Sequence, residues 1–281
     1  MNAQDYACKA GNIFVLPDAV TKIKELIDDD AASMQEIAEV INYDPAIMSR
    51  VLKISNSALY KFPSKITTVS KAIQVIGTGA VHDLVLAYGV ANAFKGVDAN
   101  VIDLDRFWEQ SVSCALLAKY FAEELSHQEP ERLFVCGLLH NIGELVVGQL
   151  SPEIAKKCEM ATDECSHLKL QMEYLGFSYA EVGAKLLRLW DIPAAISGPI
   201  SRQHVSLTEA ETQDDKVIQL AYILALNNAS EEHNEAHSAI SAKLYERLGI
   251  ELDCLDRAMN FTNLQLMGAL ALFSPATFSV F

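Results

Sequence analysis

The stretch Gly137-Leu138-Leu139-His140-Asn141-Ile142-Gly143-Glu144-Leu145 decides how this chain is read. It lies inside a long apolar, helix-compatible run covering residues 133–150. His140 and Asn141 are its one adjacent pair of metal-capable side chains. A His followed by Asp there would form half of a metal site, because imidazole nitrogen and carboxylate oxygen both bind divalent ions. Asn removes the negative charge. A single His in an apolar helix is more often a hydrogen-bonded core residue than a ligand. Gly137 and Gly143 permit close helix contact, which suits tight packing as well as a pocket.

Helix signals surround this stretch on both sides. Leu16-Pro17-Asp18 opens a first helix, with Val20, Ile23 and Ile27 on one face. Ser33 with Glu36 forms a capping box for a second helix. Asp44-Pro45 starts a third, whose buried stripe is Ile47, Val51, Leu52 and Ile54. A helix over 69–76 ends at Gly77, and a long apolar one covers 80–94. A second block holds helices over 105–125 and 131–150, one beginning at Pro152, and one that Ser178 and Glu181 cap. Further helices cover 193–204, about 238–248 and 254–273, and residues 217–226 are strongly apolar. No sustained alternation of apolar and polar residues founds a sheet. The fold class is all-α, in two blocks. Residues 1–12 read as a leader, and the polar stretch 95–103 reads as the boundary between blocks.

Composition narrows the function classes. At 51% hydrophobic, the 281 residues are expected to build a sizeable core. The 22 basic and 37 acidic residues give a net charge of −15, which disfavours general binding to nucleic acid or to an anionic membrane. None of the six cysteines forms a Cys-x-x-Cys pair, so they read as small core residues in a reducing compartment. No basic segment followed by an apolar one opens the chain, and a cytoplasmic location is expected. The run 258–281 lacks ionisable side chains, but polar residues and Pro275 interrupt it before the ~20 apolar residues that a membrane span needs.

Taken together, these segments resemble the HDOD domain family. Leu16-Pro17, Asp44-Pro45-Ala46, the run Val51-Leu52-Lys53-Ile54-Ser55-Asn56-Ser57-Ala58-Leu59-Tyr60 and Ala72-Ile73-Gln74-Val75-Ile76-Gly77 match its first half. Trp108, Gly137 to Gly143, Leu175-Gly176-Phe177, Glu181-Val182-Gly183-Ala184 and Trp190-Asp191-Ile192-Pro193 match its second half. The resemblance covers roughly residues 13–230. It implies an N-terminal helical bundle, over 13–96, joined to a helical domain related to HD and HD-GYP phosphohydrolases, over 104–281. It also implies a bacterial signalling context with no established chemistry.

The same resemblance says where HD-type metal ligands would stand. Gln110 occupies the place of the first His, and His140-Asn141 that of the His-Asp pair. Tyr179 replaces another His, Gln203-His204 a His pair, and Tyr222 the late Asp. His140 and His204 alone are retained, with no carboxylate. Two neutral imidazoles do not offset a divalent charge or fix a geometry for hydrolysis. The expected function is therefore a non-catalytic signalling protein without a cofactor, acting through a protein partner or an anionic small ligand. The alternative is a metal-dependent phosphohydrolase with an atypical site drawn from Glu144, Glu173 or His167.

One charge anomaly suggests where a partner binds. Residues 45–82 hold Arg50, Lys53, Lys61, Lys65 and Lys71 and no acid, so the stretch is +5 and the remainder −20. Either this face rests near acidic residues of the same chain, or it docks an anionic partner. Arg50 and Lys53 share a helix face that leads towards Asn56. Asn56 and Ser57 can equally bond local backbone and stop a helix.

Overall fold

In a computed structural model, the protein is described over residues 1–28, 33–57, 59–60, 62–162, 165–205, 212–229 and 235–273. Those residues form helices and no strand. One isolated bridge pairs Thr162 with Cys165. Internal contacts divide the chain into two units, one of residues 1–14 and 96–263, the other of 15–95 and 264 onward.

The smaller unit holds α2 (Asp18–Asp28), α3 (Met34–Tyr43), α4 (Pro45–Ser55), α5 (Val69–Ile76) and α6 (Thr78–Ala93). Ser33 and Glu36 make the expected capping box. Asp44 accepts from the backbone N–H groups of Ala46 and Ile47, and Pro45 occupies the first turn of α4. Gly77 ends α5 at φ 88°, a left-handed conformation that favours glycine. Helix α2 packs on α6 at Gly89, where a Cβ would lie 2.7 Å from the Val20 methyls.

The larger unit begins with α1 (Ala3–Gly11), in the segment expected to be a leader. Asn2 and Asp5 cap it reciprocally, and Ala3, Tyr6, Ala7 and Ala10 are buried. This unit continues with α7 (Leu104–Glu124), α8 (Pro130–Leu139), α9 (Ile142–Leu150), α10 (Pro152–Cys158), α11 (His167–Tyr174), α12 (Tyr179–Leu189), α13 (Ala194–Ser201), α14 (Gln213–Ala229) and α15 (Glu235–Leu248). The last helix, α16 (Leu252–Phe273), starts in this unit and contributes residues 264–273 to the other. Tyr6 anchors α1 through its hydroxyl, 2.7 Å from Ser151 Oγ, and its ring meets Phe177 edge-on at 5.7 Å.

Residues 131–150, expected as one helix, form two, with the break at His140 and Asn141. Glycines set that break in place. A Cβ on Gly137 would lie 2.7 Å from the Ala115 backbone on α7. A Cβ on Gly143 would overlap the Tyr179 carbonyl oxygen at the start of α12. Helices α8 and α9 therefore approach two neighbours almost backbone to backbone. Among the described residues, the stretch 130–150 is long and apolar enough to cross a membrane, and 83% of its most apolar window is buried within the protein.

Candidate functional site

The two halves of the His140-Asn141 pair face different surroundings. His140 is fully buried, and its Nδ1–H donates to the Gly137 carbonyl at 2.7 Å. That bond fixes the neutral tautomer and leaves Nε2 as an acceptor, which has no hydrogen-bond partner. Burial lowers the His140 pKa to about 4. The neighbouring His204 is also lowered to about 4, by burial first and by His140 second. Both imidazoles are thus neutral at pH 7.

Tyr222 stands beside both rings, its centroid 5.5 Å from that of His140 and 4.9 Å from that of His204, each edge-on. Gln203 Nε2 donates to the His140 carbonyl and lies within reach of His204 Nε2, both at 3.3 Å. The structure therefore brings His140, Gln203, His204 and Tyr222 into one group. Gln110 is buried on α7, and among the described residues no hydrogen bond joins it to that group. Tyr179, buried at the start of α12, presents its backbone N–H to Gln171 Oε1 at 2.8 Å. Burial, the Cys158 thiol and the charges of Glu144 and Glu159 all raise its phenol pKa.

Asn141 belongs to a second group. Its Nδ2 donates to Glu144 Oε2, one turn further along. The other oxygen of Glu144 accepts from Arg106 Nη2 on α7. Arg106 Nη2 also reaches Glu159 Oε1 at 2.8 Å. A guanidinium is therefore the counter-charge of this buried carboxylate. Burial, with Glu159 adding to it, raises the Glu144 pKa to about 7 in spite of the opposing Arg106. For a buried ion pair this is the ordinary outcome: desolvation outweighs attraction. His167 is lowered by burial and then by Arg106. Glu173 is exposed on α11.

These residues fit a divalent ion poorly. Both oxygens of Glu144 are committed, to an amide and to a guanidinium, and the unpartnered atoms left at these positions, His140 Nε2, Gln203 Oε1 and the Tyr179 hydroxyl, are all neutral. Among the described residues, no three His, Cys, Asp or Glu side chains gather as a metal site. Sequence reading named Glu144 as an alternative ligand and missed Arg106 and Glu159. The spacings that signal the group are Asn141-x-x-Glu144 and Arg106 one turn before Gln110.

The basic stretch of the smaller unit is also sorted by the structure. Arg50 is buried, not on the surface. Its Nη1 donates to the carbonyls of Leu272 at 2.7 Å and Ala271 at 3.3 Å, and its guanidinium lies 5.6 Å from the Tyr88 ring centroid. Asn56 holds backbone: its amide N–H groups donate to the Leu52 and Ile66 carbonyls, and its Oδ1 accepts from the Ile66 N–H. Lys53, Lys65 and Lys71 are exposed, and Lys61 lies outside the described residues.

A family model, the HDOD domain, matches residues 13–206. The chain belongs to the HDOD family. The fold agrees with a solved structure from Shewanella amazonensis SB2B, provisionally named a phosphohydrolase, at TM-score 0.73 and 25% identity, covering 94% of this chain and 95% of that one. It also agrees with one from Marinobacter aquaeolei VT8, provisionally named a signal transduction protein, at TM-score 0.68 and 19% identity, covering 93% of this chain and 59% of that one. An uncharacterised protein of Treponema pallidum is 25% identical over 210 residues. That match takes in 72% of this chain and 39% of the relative's length, so the chain spans well under half of it.

Proposed function

We propose that this HDOD chain is a non-catalytic regulatory protein of a bacterial cytoplasmic signalling pathway. It acts by binding a partner and not by hydrolysing phosphate esters. One observation carries the reading. Where an HD enzyme has the aspartate of its His-Asp pair, this chain has Asn141, whose amide is spent on Glu144, and Glu144 is neutralised by Arg106. A guanidinium supplies positive charge, but it cannot polarise a water into hydroxide as a metal ion does. The signalling name of the Marinobacter relative and the six free thiols agree with this role and place.

The phosphohydrolase name of the Shewanella relative, together with the free acceptor on His140, favours the second reading, a hydrolase with an atypical metal site. Purified protein is to be measured for bound iron, manganese and zinc, and assayed with bis(p-nitrophenyl) phosphate in the presence of each. The expected result is substoichiometric metal and no turnover above buffer. Stoichiometric metal with turnover that His140→Ala abolishes overturns the proposal.

A further inference from the structure

Resting on the partner-binding reading above, we propose that the exposed backbone edge at residues 65–67, beside a cleft at the end of α4, receives an extended, acidic segment of a partner protein. That segment pairs its backbone with Lys65 and Thr67 and its carboxylates with Lys53 and Lys65.

The cleft, about 450 Å³, is lined by Ser55, Asn56, Ser57, Phe62, Pro63, Ser64 and Lys65. One wall is closed to a ligand. Ser55 Oγ, Asn56 Nδ2 and Ser57 Oγ donate to the carbonyls of Val51, Leu52 and Ile54 at 2.7, 2.7 and 2.6 Å. These three side chains are spent on carbonyls of the last turns of α4, two of which, Leu52 and Ile54, also accept the backbone N–H groups of Asn56 and Ser57. The opposite wall is open. Asn56 clamps both polar groups of the Ile66 backbone and so holds the segment extended, with Ile66 inward and Lys65 and Thr67 exposed. Among the described residues, the backbone groups of Ser64, Lys65 and Thr67 make no hydrogen bond. In that extended backbone the N–H and C=O groups of Lys65 and Thr67 point away from Asn56, and they form a short edge of the kind that an incoming strand completes. Phe62, stacked on Tyr60 with centroids 5.9 Å apart and rings 6° from parallel, gives the segment an apolar contact.

Charge chooses the occupant. No acid occurs from 45 to 82 in a chain of net −15, and Lys53 and Lys65 form no ion pair among the described residues. A compact phosphate suits the cleft poorly. A single lysine lines it, and α4 ends there, so the helix presents the negative end of its dipole. An extended segment avoids that end and spreads its carboxylates over separated lysines.

The test uses the full chain and a fluorescein-labelled octapeptide of alternating Glu and Val, with a Lys-Val octapeptide as control. The expected result is binding of the acidic peptide alone, weakened by salt, with slowed amide exchange at Lys65 and Thr67. The pair Lys53→Glu and Lys65→Glu is expected to weaken it by about tenfold or more. Thr67→Pro removes one N–H while keeping extended backbone, and is expected to weaken binding with an unchanged thermal melt. Failure to bind, equal binding by these variants, or no protection at Lys65 and Thr67 overturns the proposal. So does displacement by inorganic phosphate, which marks a small-anion site. Metal-dependent turnover in the assay above sinks the non-catalytic reading and leaves a positive peptide result standing. Loss of peptide binding without turnover sinks the cleft alone.

Discussion

Replacing Glu144 by Gln is expected to change the pH dependence of stability in a defined direction. Glu144 is 2% exposed, and its pKa is raised from an ordinary 4.5 to about 7. A carboxyl with a raised pKa holds its proton more tightly in the folded chain than in the unfolded one. Its ionisation therefore removes stability as pH rises, beginning near 4.5 and complete above about 7. That interval corresponds to about 3 kcal/mol. The amide of the Glu144→Gln variant carries no charge and so escapes the loss, although it keeps only one of the contacts with Asn141 and Arg106. The wild-type chain contains opposing titrations, because His140 and His204 destabilise it as pH falls from 6.5 towards 4. Comparing Glu144→Gln with wild type at each pH cancels them. Both tryptophans, Trp108 and Trp190, lie in the larger unit, so their fluorescence in urea titrations follows the unit that holds Glu144. Between pH 4.5 and 8 the difference is expected to move in favour of the variant by about 3 kcal/mol. A constant offset refutes the reasoning. A shift in favour of wild type means that Arg106 outweighs burial and holds the carboxyl below its ordinary value.

Other perturbations test the rest of the site and the packing around it. His140 and His204 are expected to keep neutral imidazole NMR shifts down to about pH 5, and a titration centred near 6.5 in either contradicts their burial. Gly143→Ala forces a methyl into the Tyr179 carbonyl and is expected to cost about 3 kcal/mol or more in urea titrations, whereas Gly268→Ala, with open space, is expected to be tolerated. Arg50→Met removes a charged donor from the Leu272 and Ala271 carbonyls, at a cost of about 2 kcal/mol, and hydrogen exchange in residues 264–273 is expected to quicken.

Local chemistry made much of the fold legible. Ser33 with Glu36, Asp44-Pro45, Gly77 and Ser178 with Glu181 mark helix ends through bonds spanning three or four residues, so the sequence carries them directly. Helix α1 lies in the segment expected to be a leader: Asn2 and Asp5 cap it as locally as the others, but three Ala and one Tyr make a weak apolar face, and its burial comes from packing on α9 and α12. The run through His140 reads as one helix because its apolar residues are continuous. The break at Asn141 depends on the close approach of α7 and α12 at two glycines.

By itself the sequence determined that this is an all-helical HDOD chain, that its His-Asp pair is His140-Asn141, and that its basic residues cluster within 45–82. It did so because helical period, end-capping and residue identity are written in order along the chain. Only the tertiary structure decided that Asn141 answers to Glu144 and Glu144 to Arg106, 38 positions earlier, and that Arg50 is spent on a carbonyl 222 positions away. The physical reason is desolvation. A charge taken out of water must find a partner within bonding distance, and which partner lies there is set by how the helices pack, not by their order in sequence.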